Sequence, residues 1–231
     1  IAASTRNPEL RRVVYALNES IEAGNELSAA MARHDRTFSP MFVNMVRVGE
    51  TLEEKFALAL NRHLPPDLKV QESRGVPESF HARYSATFRG YRYSLLPAPV
   101  PIPKHRRFSW RISEKPDLRR LNRDAEALVG EHDFTTFAAA GQNVEHNIRV
   151  VHHARFTEEP PFVVFSIRAN GFLWKMVRSM VGTMVDREIG RRRDEPPVDS
   201  METVLLREDR DAAGTTAPPQ GLFLTEVGYD V

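Results

Sequence analysis

The stretch PFVVFSIRANGFLWKMVRSMVGTMVDREI, residues 161–189, sets the two most clearly patterned elements of the chain side by side. Its first nine residues, 161–169, are aromatic and β-branched and are followed by Asn170-Gly171, which is the pattern of a strand. From Gly171 to Ile189 the period changes. Phe172, Met176, Val177, Met180, Val181, Met184 and Val185 recur at helical spacing, and Gly190 follows as a stop. A methionine-rich stripe of this kind is core packing, with soft side chains filling the space under a sheet. A strand running into an amphipathic helix places the chain among mixed α/β or α+β folds.

Working outward, the same reading predicts a helix over 8–23, capped by Asn7 with Pro8 in its first turn, and a strand over 41–48 (MFVNMVRV). A further helix is expected from about Glu50 to His63, stopped by Pro65-Pro66, then a strand over 84–96 in which aromatic and basic residues alternate. Four prolines within residues 97–103 exclude a helix interior or a central strand there. This run is the expected boundary between an N-terminal subdomain, 1–96, and a C-terminal one, 104–231. A helix over 116–129, a short helix near 199–206, a loop at 191–197 and a final strand over 221–229 complete the expectation.

Composition narrows the chemistry. The 231 residues contain no cysteine, which excludes disulfides, thiolate metal sites and cysteine nucleophiles. No apolar run is long enough to cross a bilayer, so no membrane partner is expected. The chain opens on Ile1 rather than methionine, and the expectation is that the native start and any targeting peptide precede it. The net charge of +1 conceals a strong asymmetry. Residues 80–123 carry 11 basic and 2 acidic side chains, whereas 124–231 carry 11 basic and 18 acidic. Among the 32 basic residues only five are lysine. Arginine forks suit phosphates and stack on bases, and the basic segment also holds Phe80, Tyr84, Phe88, Tyr91 and Tyr93. Charge with interleaved aromatics points to nucleic acid. The plain alternatives are a solvated basic face or an arginine-rich codon bias. Phosphate-loop, dinucleotide, nucleophile-elbow and zinc motifs are absent. The pair His152-His153 sits where a strand would point its two rings to opposite faces, which argues against shared metal ligation.

Three segments resemble the tRNA pseudouridine synthase A family: FHARYSATFRGYRY at 80–93, ANGFLWKMVRSMVG at 169–182 and AGTTAPPQGLFL at 213–224. NRHLPPDL at 61–68 and GEHDFTTF at 130–137 add weaker support. The resemblance implies an α/β (α+β) fold of two subdomains, with mixed or antiparallel sheets flanked by helices around a basic cleft. It implies an isomerase that turns uridine in structured RNA, tRNA or rRNA, into pseudouridine with no metal and no cofactor. By motif position Tyr91 is the tyrosine that stacks on the target base, Arg178 is the arginine that pairs with the catalytic aspartate, and Leu222 lines the pocket. Arg33, His81, Arg83, Arg89 and Arg92 are the expected RNA contacts. An arginine in an otherwise apolar helix needs a partner, and a buried carboxylate is the natural one for Arg178.

The family's loop G-R-T-D-x-G-V-H-A corresponds here to ARHDRTFSP, residues 32–40. Matching by residue type makes Asp35 the catalytic aspartate. Matching without a gap puts Arg36 there and removes the carboxylate. The family's opening strand, Y-D-G-x-x-Y-x-G-W, has no counterpart in residues 1–34. Two functions therefore remain open. One is an active synthase using Asp35, Tyr91 and Arg178. The other is a chain that keeps its RNA cleft without catalysis and serves a large ribonucleoprotein assembly. A homodimer is compatible with either, and arginine richness without cysteine is compatible with an intracellular, organellar setting such as the mitochondrion.

Overall fold

Strand β1, Ala86–Pro97, is the spine of the architecture because both of its edges are paired along most of its length. The computed structural model describes residues 8–51, 56–62, 64–139, 146–192 and 200–230, and the chain divides into two compact units, 1–80 and 81–231. In the second unit β5, Phe162–Ala169, runs antiparallel to one edge of β1, in register from Arg89 opposite Ala169 to Leu95 opposite Val163. The remaining edge is shared. Strand β6, Leu222–Tyr229, pairs antiparallel with residues 86–93, and β2, Trp110–Ile112, pairs parallel with residues 95–97. Beyond β5 lie β4, Ile148–Glu159, and β3, Gly130–Asp133. The result is one mixed six-stranded sheet.

Helices α5 (Leu118–Glu126), α6 (Met176–Arg192) and α7 (Met201–Leu206) cover a face of this sheet. Val163, Phe165, Ile167 and Ala169 alternate along β5 and join one core with Met176, Val177, Met180, Val181, Met184 and Val185 of α6. Burial of each such side chain stabilises the fold by about 1.5–3 kcal/mol. Leu121, Ala125 and Leu128 close the core from α5, whose first turn is capped by the Asp117 carboxylate accepting from Arg119 N–H at 2.8 Å. That backbone hydrogen bond, the largest influence on it, holds the Asp117 carboxyl below its ordinary range.

The first unit is helical. It comprises α1 (Pro8–Glu22), α2 (Leu27–Ala32), α3 (Pro40–Thr51) and α4 (Phe56–Asn61), with a small core of Met31, Val43 and Val46 against Leu17 and Phe38. The strand expected at 41–48 is therefore helix α3. The Ser39 hydroxyl accepts from Phe42 N–H at 3.2 Å, Pro40 suits a first helical turn, and Val43 and Val46 fall on one side of the helix. Its valines gave it strand-like composition, but β propensity needs a pleated neighbour, and no strand occurs among the described residues of this unit. The expected capping residue Asn7, and parts of the expected helix at 50–63 and loop at 191–197, lie outside the described residues.

The division between units falls after Phe80, so the proline run 97–103 lies within the second unit. There Ala98 N–H donates to Ile112 O at 3.0 Å, and the run turns the chain from β1 toward β2. The expected mixed sheet flanked by helices is present, and among the described residues β1 is built into this single sheet. The helix expected from Gly171 begins instead at Met176, after Lys175 takes a left-handed backbone with φ 63°. The β4 ladder shifts register between Val151 and His153, so His152 and His153 lie at a bulge, both exposed.

One charged contact sits inside this core. Arg187 Nε lies 2.9 Å from Asp124 Oδ2, with side chains only 10% and 5% exposed. Breaking a buried ion pair by truncating one side is strongly destabilising, so Asp124→Ala is expected to cost about 3–5 kcal/mol, read as a lower urea midpoint. The double change Asp124→Leu with Arg187→Met should cost less than the single one, because apolar side chains of similar volume replace both members of the pair.

Candidate functional site

A cleft of about 560 Å³ opens where β1, the turn before α6 and the start of β6 meet. Tyr91, Arg178, Leu222 and Arg83 all line it, so four of the residues singled out in the sequence come together in the second unit. Tyr91 is on the helix-covered face of β1, and its ring meets Phe172 edge-on with centroids 5.0 Å apart and planes at 88°. This T-shaped contact fixes the phenol ring in the cleft. Phe172 was legible only as a core residue of the expected helix; its role against Tyr91 depends on the turn at 171–175.

Among the described residues, no carboxylate of this unit pairs with Arg178. Its Nε donates to the Ala217 carbonyl at 2.6 Å, while Ala217 N–H donates back to the Arg178 carbonyl at 3.0 Å. A backbone acceptor thus replaces the ion pair. It aims the guanidinium into the cleft by fixing the Nε side of the fork.

The segment that supplies Ala217 is a strap, residues 213–221, laid along α6. Gly214 N–H donates to Thr183 Oγ1 at 2.9 Å, and Thr183 Oγ1 in turn donates to Ser179 O at 2.8 Å. Asp186 Oδ2 accepts from Thr215 N–H at 2.8 Å and from Thr215 Oγ1 at 2.9 Å. The approach is so close that a Cβ on Gly182 would lie 1.7 Å from the Thr215 carbonyl oxygen. At the far end the Tyr93 hydroxyl donates to Pro218 O at 2.7 Å. Burial raises the Tyr93 phenol well above its ordinary value, and the positive charge of Arg178 offsets this only in part. The hydroxyl is thereby kept as a neutral donor. The strap then delivers Leu222 to the cleft and starts β6.

Of the other expected RNA contacts, Arg83 alone lines the cleft. His81 and Arg83 are exposed on the turn before β1. His81 Nδ1 accepts from the N–H groups of Arg83 and Tyr84 at 3.1 and 3.3 Å, which places its ring proton on Nε2. Arg89 braces this turn by donating to Arg83 O, to Ala86 O at 2.9 Å and to Asn170 O at 2.8 Å. Three of its five N–H donors are therefore turned to protein carbonyls. Arg92 pairs with Glu159. Asp35 and Arg33 belong to the first unit, where Asp35 is exposed in the turn between α2 and α3, and Thr37 and Phe38 N–H both donate to His34 O at 2.9 Å. No cluster of three or more His, Asp or Glu that could hold a metal occurs among the described residues. None of the described helices is long and apolar enough to cross a membrane.

The family model for tRNA pseudouridine synthase matches residues 125–230. A protein called tRNA pseudouridine synthase A from Moorella thermoacetica is 43% identical over 176 residues, covering 76% of this chain and 70% of that protein. Proteins of the same name from Thermoanaerobacter sp. and Lysinibacillus sphaericus are each 38% identical, again covering 76% of this chain and 70% of theirs. The chain belongs to the tRNA pseudouridine synthase A family. Residues 1–54 are similar instead to the type II secretion system protein F family. That stretch contains α1 to α3 and Asp35.

Two outcomes are expected of the strap. Gly182→Ala drives a methyl into backbone that cannot yield locally, and should cost about 1–3 kcal/mol of stability while weakening any ligand of the cleft. Up to about pH 11 the native absorbance change at 295 nm should be the same in wild type and Tyr93→Phe, because the buried phenol stays protonated where an ordinary tyrosine, near pKa 10, has ionised. A raised pKa gives stability that is complete below about pH 10 and declines above it as the unfolded phenol ionises, so this contribution should vanish from the alkaline unfolding profile of Tyr93→Phe.

Proposed function

We propose that this chain binds tRNA across the cleft of its second unit and isomerises a uridine there to pseudouridine. The observation that supports this reading is the meeting of Tyr91, Arg178 and Leu222 in one cleft of a chain from this family. A uridine stacked in a helix hides its glycosidic bond, so the nucleotide must leave the stack before reaction. Tyr91 offers a ring to the extruded base, Leu222 an apolar wall, and the Arg178 fork a donor pair for a phosphate or carboxylate. The isomerisation breaks the N1–C1′ bond, turns the uracil and forms a C5–C1′ bond, with a proton lost at C5 and one gained at N1. A carboxylate acting at C1′ would carry the sugar between the two bonds. Asp35 is this chain's candidate for that carboxylate, with Arg33 beside it.

A second reading is tRNA binding without isomerisation, with a ribonucleoprotein as its setting. One observation favours it: no Asp or Glu is among the described residues that line the cleft. The two readings separate in one experiment with a tRNA pool. The expected result is pseudouridine formed by the unaltered chain and lost in Asp35→Ala, with tRNA affinity unchanged. Tyr91→Ala and Arg178→Ala should each lower the rate by a factor on the order of 100 or more. Product surviving Asp35→Ala removes that residue from the reaction, and tRNA bound without product establishes the second reading.

A further inference from the structure

Trp174 and Lys175 line the mouth of the cleft, and neither has a part in the chemistry above. Trp174 is 58% exposed, which is costly for the largest apolar side chain, and it is one of only two tryptophans in the chain. Its backbone is anchored, since Ala139 N–H donates to Trp174 O at 3.1 Å. Lys175 stands in the left-handed region at φ 63°, a conformation costing a residue with a Cβ about 1–2 kcal/mol. Only Glu208 shares that feature among the non-glycine described residues. The chain tolerates this strain at the step where the turn becomes α6. There the Lys175 carbonyl accepts the Ser179 N–H at 2.9 Å, and the Lys175 ammonium lies 4.6 Å from the centre of the Trp174 ring.

An indole left open to solvent, beside a cation and above a cavity that already holds an aromatic ring, has a defined ligand chemistry. Its face takes a second flat base, and the ammonium takes the phosphate joined to it. A cleft of about 560 Å³ is of a size for one small-molecule-sized group, so the neighbour of a nucleotide held against Tyr91 needs a surface of its own. We infer that Trp174 and Lys175 form a stacking platform for the nucleotide that flanks the one entering the cleft. The platform reads whether that flanking base can be unstacked, which makes it a determinant of which RNA sites are accepted. This inference rests on the proposed tRNA-binding reading.

The test uses the full chain and the intrinsic emission of its tryptophans during titration with a tRNA pool. Binding is followed separately by the anisotropy of labelled tRNA. The expected result is quenching in wild type that is absent from Trp174→Phe, whose remaining tryptophan is Trp110 beside Tyr93 in the core. Trp174→Ala should weaken tRNA binding about tenfold, and Trp174→Phe should restore most of it, since one stacked base is worth roughly that factor. Lys175→Gln should lower the slope of log affinity against log salt by about one. If tRNA binds with unchanged emission, or Trp174→Ala binds as well as wild type, the platform is refuted and the tRNA-binding reading stands. If no tRNA binds to the wild-type chain, both fall together.

Discussion

The contact between Gly182 and the Thr215 carbonyl governs the geometry of the second unit. With no side chain on Gly182, the strap 213–221 lies against α6 closely enough for Ala217 N–H to donate to the Arg178 carbonyl and for Arg178 Nε to donate to the Ala217 carbonyl. That exchange fixes where the Arg178 fork begins. The same strap presents Pro218 to the Tyr93 hydroxyl and sets the starting point of β6, whose register along β1 then follows. A methyl at position 182 would therefore alter the arginine, the leucine and a strand pairing together. Distant parts of the cleft are coupled through one steric allowance.

The strap is held mostly by hydrogen bonds to backbone groups, with one carboxylate, Asp186, accepting two of them. Each neutral bond is worth only about 1 kcal/mol net, but each also satisfies a group that would be costly to bury alone. Keeping Tyr93 protonated belongs to the same logic, since a phenolate there would face the Pro218 carbonyl oxygen with no proton to share. The cationic Arg178 can then sit near the cleft without being neutralised by its own unit. Its Nε is satisfied by a carbonyl, and the positive charge is kept for whatever enters.

What the sequence made legible follows from which forces are local. The core stripe of α6, the β5 strand and the aromatic alternation of β1 are written in periods of 3.6 and 2, and the structure has them within a few residues. Tyr91, Arg178 and Leu222 were assigned by motif position, and their meeting could not be read from spacing because the strap brings position 222 to position 91. The α3 error arose where β-branched composition outweighed the Ser39-Pro40 start signal. Arg89 is legible as a basic residue on a strand, which announces charge but not its partners within the fold. Its partners are three carbonyls that converge only in the fold.

On the proposed function, binding and chemistry fall to different parts of the molecule. Every described residue lining the cleft comes from the second unit, positioned by strand, helix start and strap, while the candidate carboxylate Asp35 sits on an exposed turn of the first. The first 54 residues are similar to a secretion family, and they hold neither the glycines of the expected catalytic loop nor its histidine in place. A cleft built from within one unit can persist whatever is joined ahead of it, because Phe172, Ala217, Thr183 and Asp186, which support it, all lie inside that unit. Catalysis has no such independence. It requires a carboxylate delivered to within bonding reach of the sugar, and a residue on a separate unit meets that requirement only if the arrangement of the two units is itself specified.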